Sequence, residues 1–524
     1  MGKKAILLSI FLCGCLLTGL AADEAIQPAV SEEPVEEQLS LTFGMFANYE
    51  KTYKMLEDQG SRNESYDTSQ LKLEYRTPLF DIVIDGLMSN DEKYDGADEQ
   101  EYLYGRYLYM NAGYADLRLG PFTVRAGRSV HTDEVEIPYS IFISSEDNPA
   151  LLADVRYDGD LFFYETRWIS LNSDSTQYYT GYEPDGDVAG QAGQTPTEWL
   201  DRGMNYKVYG INAGDWRFGF QDSIIYLDLE FDPEYFLNPA PMYFIQIIST
   251  APGRPWGEYG DAKSLMGFFV EREREDDYGA AQILIDDLNG SFIPGVEVGN
   301  LTKMSWSVGG KKDLPFGTIG FYHAGATKYT FQGTYAEEEL ADFTEVPEDG
   351  ADVYYNYYPY EYTYYPVSVY LKENGDSMPL HYTDNYIGYK YGENNIAFMV
   401  DYENSFRGTG IGTFDLYSSL EWILNGSKSP NNPWQDGYNT DVSDDAVELL
   451  DGTIEHVIVN TTRFSKPIGG FNLNLDLVLG YRFNAMKLEK ADSEPDAAYI
   501  FYPQSGENEP IVELRIGGSY TWDF

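Results

Sequence analysis

The sequence predicts an all-β chain that closes into a transmembrane antiparallel β-barrel of about 18 strands, with 16–20 compatible. Three observations carry this. A two-residue hydrophobic period recurs in segments of strand length. Short Gly- and Pro-containing turns alternate with long polar segments. The chain ends in a strand whose alternate residues are apolar or aromatic. The mean hydropathy of −0.40 is compatible with such a barrel, because a spanning strand shows only every other side chain to lipid.

Composition narrows the function classes. The 524 residues carry 35 Lys plus Arg against 86 Asp plus Glu, a formal charge of −51. A general nucleic-acid binder needs the opposite balance to displace counterions from phosphate. Aromatics make up 16% of the chain, including 46 Tyr, which argues against wholesale disorder. The two cysteines, Cys13 and Cys15, lie near the N-terminus. Residues 1–22 read as a secretory signal: basic Lys3-Lys4, an apolar run from Ala5 to Leu20, then Ala21-Ala22. Lipidation at Cys15 is the alternative, since Leu12-Cys13-Gly14-Cys15 loosely resembles a lipobox. Cleavage after Ala21 or Ala22 leaves a mature chain without thiols, suited to an oxidising periplasm. No later segment has the roughly 20 consecutive apolar residues of a spanning helix.

Taken in order, residues 23–38 are acidic and Pro-containing, a flexible periplasmic lead-in to a barrel over 39–524. Alternation begins at Leu39, with Leu41, Phe43, Met45, Ala47 and Tyr49 on one face and Ser40, Thr42, Gly44, Phe46 and Asn48 on the other. Short turns are expected at Thr77-Pro78-Leu79, Gly120-Pro121, Asp158-Gly159, Gly214-Asp215, Leu314-Pro315-Phe316, Gly392-Glu393-Asn394 and Pro467-Ile468-Gly469. Long polar segments fall at about 173–202, 332–352, 425–452 and 485–509. Short turns at one end and long loops at the other is the layout of bacterial outer-membrane barrels. Phe471 to Asn484 is the cleanest strand, with Phe471, Leu473, Leu475, Leu477, Leu479, Tyr481 and Phe483 sharing a face. Its apolar face begins and ends in aromatics, as two interfacial girdles require. Counting back from Phe524 by twos gives Trp522, Tyr520, Gly518, Ile516, Leu514 and Val512. This strand resembles the signal read by the barrel-assembly machinery, with Tyr520, Trp522 and Phe524 as its aromatic residues. Pairing it with the first strand removes the exposed edge.

Register also assigns the lumen. In Ala115–Leu119 the odd positions are apolar, so Asp116 and Arg118 point inward. Val124 and Ala126 turn Arg125 inward; Val155 and Tyr157 do so for Asp154 and Arg156. Phe162, Tyr164 and Trp168 place Glu165 and Arg167 inside. A charge facing lipid at mid-membrane costs roughly 2–4 kcal/mol, which motivates the inward choice. Arg128 joins this set, although it shares a face with Val124 and Ala126 at the far end of its strand. Two readings stand: a structural ion-pair lattice, or an arginine ladder guiding an anion or sugar.

Other motifs carry less. His131, His323, His381 and His456 are dispersed, without metal-ligand spacing, and read as surface or girdle residues. No catalytic constellation follows from spacing, and no cofactor or metal is implied; the chain is not expected to be an enzyme. Gly408-Thr409-Gly410-Ile411-Gly412 suits a loop or thinned strand better than a phosphate cradle. Val353–Leu371 contains nine Tyr in 19 residues. It reads as an interfacial girdle, or as sugar-stacking aromatics at Tyr357, Tyr358, Tyr360 and Tyr362. The acidic stretches Ala336–Asp352 and Asp441–Asp451 are solvated loops or divalent-cation bridges to surface polysaccharide.

A string from Val124 to Trp168 has a further resonance: Val-Arg-Ala-Gly127-Arg128, Ile141-Phe-Ile-Ser144-Ser145-Glu-Asp-Asn148-Pro149, Asp154-Val-Arg156-Tyr and Phe162-Phe-Tyr-Glu-Thr-Arg-Trp168. It resembles the capsule-assembly Wzi family of outer-membrane barrels. Phe218–Tyr226, Tyr235–Pro241 and Gln282–Leu288 resemble that family's central strands, so the resemblance covers about 124–290. It implies an occluded barrel that binds or organises surface polysaccharide. A porin passing small solutes and a surface interaction protein are the alternatives. The expected partners are outer-membrane lipid, the barrel-assembly machinery and surface polysaccharide, with no nucleic acid.

Overall fold

The computed structural model describes residues 37–51, 63–91, 106–144, 149–175, 177–180, 199–227, 229–250, 262–287, 302–332, 354–357, 362–364, 385–409, 412–428, 447–450, 452–490 and 499–524. The signal segment lies outside the described residues, as do Tyr358, Tyr360, His381 and most of the two acidic stretches.

Eighteen antiparallel strands form one sheet. They are β1 (Gln38–Lys51), β2 (Asn63–Arg76), β3 (Phe80–Ser89), β4 (Tyr107–Leu119), β5 (Phe122–Ser129), β6 (Ala150–Asp158), β7 (Phe162–Ser175), β8 (Trp199–Ala213) and β9 (Trp216–Leu227). The series continues with β10 (Ala262–Glu273), β11 (Asp277–Asp287), β12 (Lys303–Leu314), β13 (Gly317–Ala326), β14 (Asn395–Thr409), β15 (Gly412–Asn425), β16 (Glu455–Ile468), β17 (Phe471–Phe483) and β18 (Asn508–Asp523). Each strand pairs with its chain neighbours, and β18 also pairs with β1, setting Trp522 opposite Leu41 and Tyr520 opposite Phe43. Closure leaves no unpaired edge, the condition for crossing lipid with strands. The Phe524 N–H donates to the Leu39 carbonyl at 2.9 Å and seals the seam.

The exterior is apolar. Met45, Leu71, Leu108, Phe268, Phe321 and Leu420 are all more than half exposed, an arrangement that only acyl chains can cover. Tyr520, Trp522 and Phe524 are exposed on the same surface.

The short turns fall as expected at 77–79, 120–121, 159–161, 214–215, 315–316 and 469–470. Two further hairpins were not anticipated: 274–276, a charged turn without Gly or Pro, and β14 to β15, where Gly412 has φ 93°. Gly392-Glu393-Asn394 is no short turn. It leads into β14 at the long-loop end, because β13 and β14 are joined by a long insertion. The stretch Tyr235–Pro241, expected as strand, holds a helix instead. Helix α1 (Pro233–Leu237) starts with Pro at its first turn and an Asp232 side chain capping the Glu234 N–H. Helix α2 (Met242–Thr250) follows. The prolines Pro239 and Pro241 have no N–H to give a ladder.

Candidate functional site

The centre of the barrel is crossed by a segment that the sequence pattern did not single out. Residues 130–144, between β5 and β6, turn into the lumen. There Val135, Ile137, Tyr139, Ile141, Phe142 and Ile143 are buried. Tyr139 reaches the opposite wall and donates to Glu421 of β15 at 2.6 Å. The Glu136 N–H donates to the Tyr278 hydroxyl of β11 at 2.7 Å.

A second insert, from the β13–β14 connection, locks the first. The Ser144 N–H donates to Ile387 O at 2.5 Å. Tyr362 donates to Phe142 O at 2.6 Å and lies 3.1 Å from Ser223 Oγ. Tyr329 and Phe331 hold φ of 68° and 74° within this insert. Bulky side chains rarely adopt that conformation, and surrounding contacts must enforce it. The inward residues Asn472, Asn474, Asp476 and Arg482 of β17 stay half-buried. The inserts share one buried apolar cluster with the strands, and Val459 of β16 and Val478 of β17 pack against it.

Beneath the first insert lies a cavity of about 400 Å³ lined by charge. Arg125 grips Asp116 with two bonds of 2.7 and 2.8 Å. Arg156 bonds Glu134 at 2.7 and 2.9 Å, Glu165 at 3.0 Å and Asp158 at 2.7 Å. Arg167 pairs with Glu165 at 2.5 Å and Asp154 at 3.6 Å, and donates to Thr132 O at 2.8 Å. Arg118 pairs with Asp81.

Of the eight charged candidates, Asp116, Arg125, Asp154, Arg156, Glu165 and Arg167 take part in the ion pairs around this cavity, and Arg118 pairs with Asp81. Arg128 is the exception: it is exposed and donates to Pro149 O at 2.7 Å, apart from the lattice. Its ladder pairing is continuous, with Gly113 on one side and Leu151 on the other, so Arg128 keeps the outward face that it shares with Val124 and Ala126. Register reasoning missed Glu134 and Arg217. Glu134 sits on the inserted segment and joins Arg156 to Arg217, which also bonds Glu271 at 2.7 Å. A signal was available: Val135 to Ile143 is apolar-rich, is broken by Pro138, and follows a strand of only eight residues.

The cavity lining holds four arginines, Arg125, Arg156, Arg167 and Arg217, against five carboxyl groups, Asp133, Glu134, Glu136, Asp154 and Glu165. So near a balance fits a packed ion-pair lattice better than a sign-selective filter.

His131 is not a surface residue as expected; it is buried on the insert. Its Nδ1 lies 3.2 Å from Arg167 Nη1 and its Nε2 lies 3.1 Å from the Tyr364 hydroxyl. Arginine only donates, so Nδ1 accepts. Burial, then the cations Arg167 and Arg125, hold the imidazole pKa well below its usual value. Burial pushes Asp133 up to about 6, opposed by hydrogen bonds from the Phe142 and Ile141 N–H groups and Gln282. His323 stacks on Phe398 at 4.6 Å, and His456 lies against Trp422, both girdle-like settings.

Tyr362 is fully buried with its ring on Phe331, so it serves the packing of the inserts and offers no face to a sugar. Tyr357 belongs to a short ribbon, Tyr354–Tyr357 with Gln177–Thr180, just beyond β7. Among the described residues no group of His, Cys, Asp and Glu is placed to hold a metal ion.

No family model matches the chain, and no curated protein matches it in sequence. Solved structures share its architecture at low identity. Wzi of Escherichia coli, an outer-membrane protein involved in group 1 capsule assembly and a carbohydrate-binding β-barrel, is 9% identical. The match covers 93% of this chain and 85% of Wzi, with a TM-score of 0.49. OccK8 (OprE) of Pseudomonas aeruginosa is 10% identical over 93% of this chain and 98% of its own, with a TM-score of 0.43. The outer-membrane protein OpdK of the same species is 11% identical over 93% and 99%, with a TM-score of 0.40. The chain is a closed 18-stranded antiparallel β-barrel with an apolar exterior. The likenesses are of fold, and the chemistry of the site rests on the chain's own residues.

Proposed function

We propose that this barrel is not an enzyme and works at the cell surface, binding or organising polysaccharide through its outer segments, with a lumen obstructed by its own inserts. One observation carries the reading: the 130–144 segment spans the lumen and bonds the far wall through Tyr139 and Glu421. An open diffusion pore has no use for a buried apolar cross-piece. The near-neutral lattice under it supports the same view. The Val124–Trp168 resemblance supplies the polysaccharide.

A second reading, a porin for small solutes, draws on the half-buried polar residues Asn472, Asn474, Asp476 and Arg482 along β17. Planar-bilayer recording and a polysaccharide pull-down on the purified protein separate the two. The first reading expects an electrically quiet barrel that retains polysaccharide. Steady open currents without polysaccharide retention would overturn it in favour of the porin.

A further inference from the structure

The outer wall of the barrel carries a second buried polar cluster, on the side that faces lipid. Ile211 and Phe218 are exposed, which fixes the odd residues of β8 and the even residues of β9 as outward. By the same alternation Asn205, Lys207 and Asp222 point outward, with Lys207 opposite Asp222 and Thr166 of β7 opposite Lys207. Polar groups in that position meet hydrocarbon unless covered. All four are buried. Opposite pleat faces of one strand are thus both sealed: Ile225 joins the lumen core, while Ile224 joins a separate cluster with Tyr226, Tyr235, Met242 and Ile245.

The cover is the helix pair α1–α2, and the wall fastens it by hydrogen bonds. Thr166 donates to Phe236 O at 2.9 Å. Lys207 Nζ donates to the carbonyls of Asn238 and Ala240. Trp168 donates to Glu230 O at 2.6 Å. The Met242 N–H, at the start of α2, donates to the Asp222 carboxylate at 2.5 Å. Asp222 is the seventh residue of β9. At ~3.3 Å per residue and ~45° tilt it stands about 14 Å above the short-turn end, inside the ~25 Å apolar band.

The face that α2 turns away from the wall is apolar: Tyr243, Phe244, Ile247 and Ile248 are exposed, and Leu237 of α1 is 72% exposed. The sequence of α2, Met-Tyr-Phe-Ile-Gln-Ile-Ile-Ser-Thr, holds no charge. A helix resting in water, or at a headgroup surface, carries charged residues on its outer face. On the neighbouring strands Phe218 and Phe268 are exposed in the same manner.

We propose that α1–α2 is a lid whose outer α2 face, Tyr243 to Ile248, is immersed in the acyl chains of the membrane, while α1 keeps one exposed charge, Glu234: it shields a polar window in the wall of β7–β9 and replaces it with a hydrocarbon-facing surface. Its partner is lipid acyl chain, and its polar fastening of Thr166, Lys207 and Asp222 holds it against the barrel. Without the lid, a lysine and an aspartate would stand in hydrocarbon.

Site-directed spin labelling in proteoliposomes tests this. Cys13 and Cys15, the only cysteines of the chain, are replaced by serine, and nitroxides are attached at Phe244→Cys and Ile247→Cys. Phe268→Cys serves as the lipid-facing reference and Arg274→Cys, in a short turn, as the aqueous one. We expect both lid positions to match Phe268→Cys, with high accessibility to oxygen and low accessibility to a polar nickel reagent. Accessibility like that of Arg274→Cys would overturn the proposal by placing the lid in water. Low accessibility to both reagents would overturn it in favour of a protein partner. Adding Asp222→Ala is expected to raise nitroxide mobility at Ile247→Cys several-fold while the barrel keeps its heat-modifiable mobility. Unchanged mobility in a folded barrel would remove Asp222 as the fastening.

Discussion

Glu134 shows how one side chain ties an insert to a wall. Its carboxylate holds Arg156 and Arg217, and its own side chain is only 2% exposed. Glu134→Gln keeps the shape and removes the charge, leaving two half-buried guanidinium groups short of a counterion. Loss of such a partner costs about 2 kcal/mol once partial solvation is allowed for. The expected outcome is a lower melting midpoint by heat-modifiable mobility, with the folded barrel still assembling; an unchanged midpoint would mean that Arg156 and Arg217 rely on Glu165 and Glu271. Asp133 gives a pH dependence. Its folded pKa, about 6, lies above the ordinary 3.8. The protonated carboxyl therefore favours the packed insert. That contribution is present below pH ~4 and fades as pH rises through ~6. His131 runs the other way: its depressed pKa favours the insert above the usual imidazole value and opposes it as pH falls below. Asp133→Asn mimics the neutral carboxyl and keeps an acceptor for the Ile141 and Phe142 N–H groups. A pH series of melting midpoints from 4 to 8 should then lose its decline between 4 and 6 and retain only the histidine limb.

Among elements, the closing strand and the lumen insert divide assembly from permeability. β18 pairs on both sides, with β17 and β1, and exposes Tyr520, Trp522 and Phe524 to lipid. Trp522→Asp places a charge on that surface, and deletion of Phe524 removes the bond to Leu39 O. Both are expected to reduce the assembled, heat-modifiable form several-fold in outer-membrane fractions, through failed recognition by the assembly machinery. Normal amounts of assembled protein would remove the aromatic terminus from that role. The insert is independent of closure, since no strand of the sheet runs through residues 130–144. Replacing Asp133–Ile143 by a short Gly-Ser linker should leave the barrel assembled and turn quiet bilayers into conducting ones. Continued silence would mean that the β13–β14 insert obstructs the lumen by itself.

At the scale of the molecule, charge is sorted by surface. The exterior belt is apolar, and the lumen holds a nearly balanced lattice. The chain as a whole carries −51, a charge that water and counterions screen. A strongly negative chain repels anionic polymers at long range, so retention of an acidic polysaccharide should rise with ionic strength over the range where the Debye length falls from ~30 to ~10 Å. A neutral polysaccharide should show no such rise. Pull-downs at low and physiological salt distinguish the two, and salt-independent retention of an acidic polymer would place binding away from the acidic segments.

The sequence by itself predicted the barrel, a strand number of about 18 within 16–20, most of its short turns and an inward facing for Asp116, Arg118, Arg125, Asp154, Arg156, Glu165 and Arg167. Each is a local matter: the pleat alternates every residue, lipid penalises an outward charge, and Gly or Pro marks a bend. Arg128 obeys the same alternation, which puts it on the outward face with Val124 and Ala126. What only the tertiary structure decided is where segments without a barrel register go. Val135–Ile143 and Tyr235–Thr250 are both apolar-rich, yet one folds inside the barrel and the other lies against its outer wall. Composition does not separate the two fates. Tertiary partners separate them: Glu134 of the inner segment bonds Arg156 and Arg217, while the backbone of the outer one bonds Lys207 and Asp222, because buried polar groups must be hydrogen-bonded.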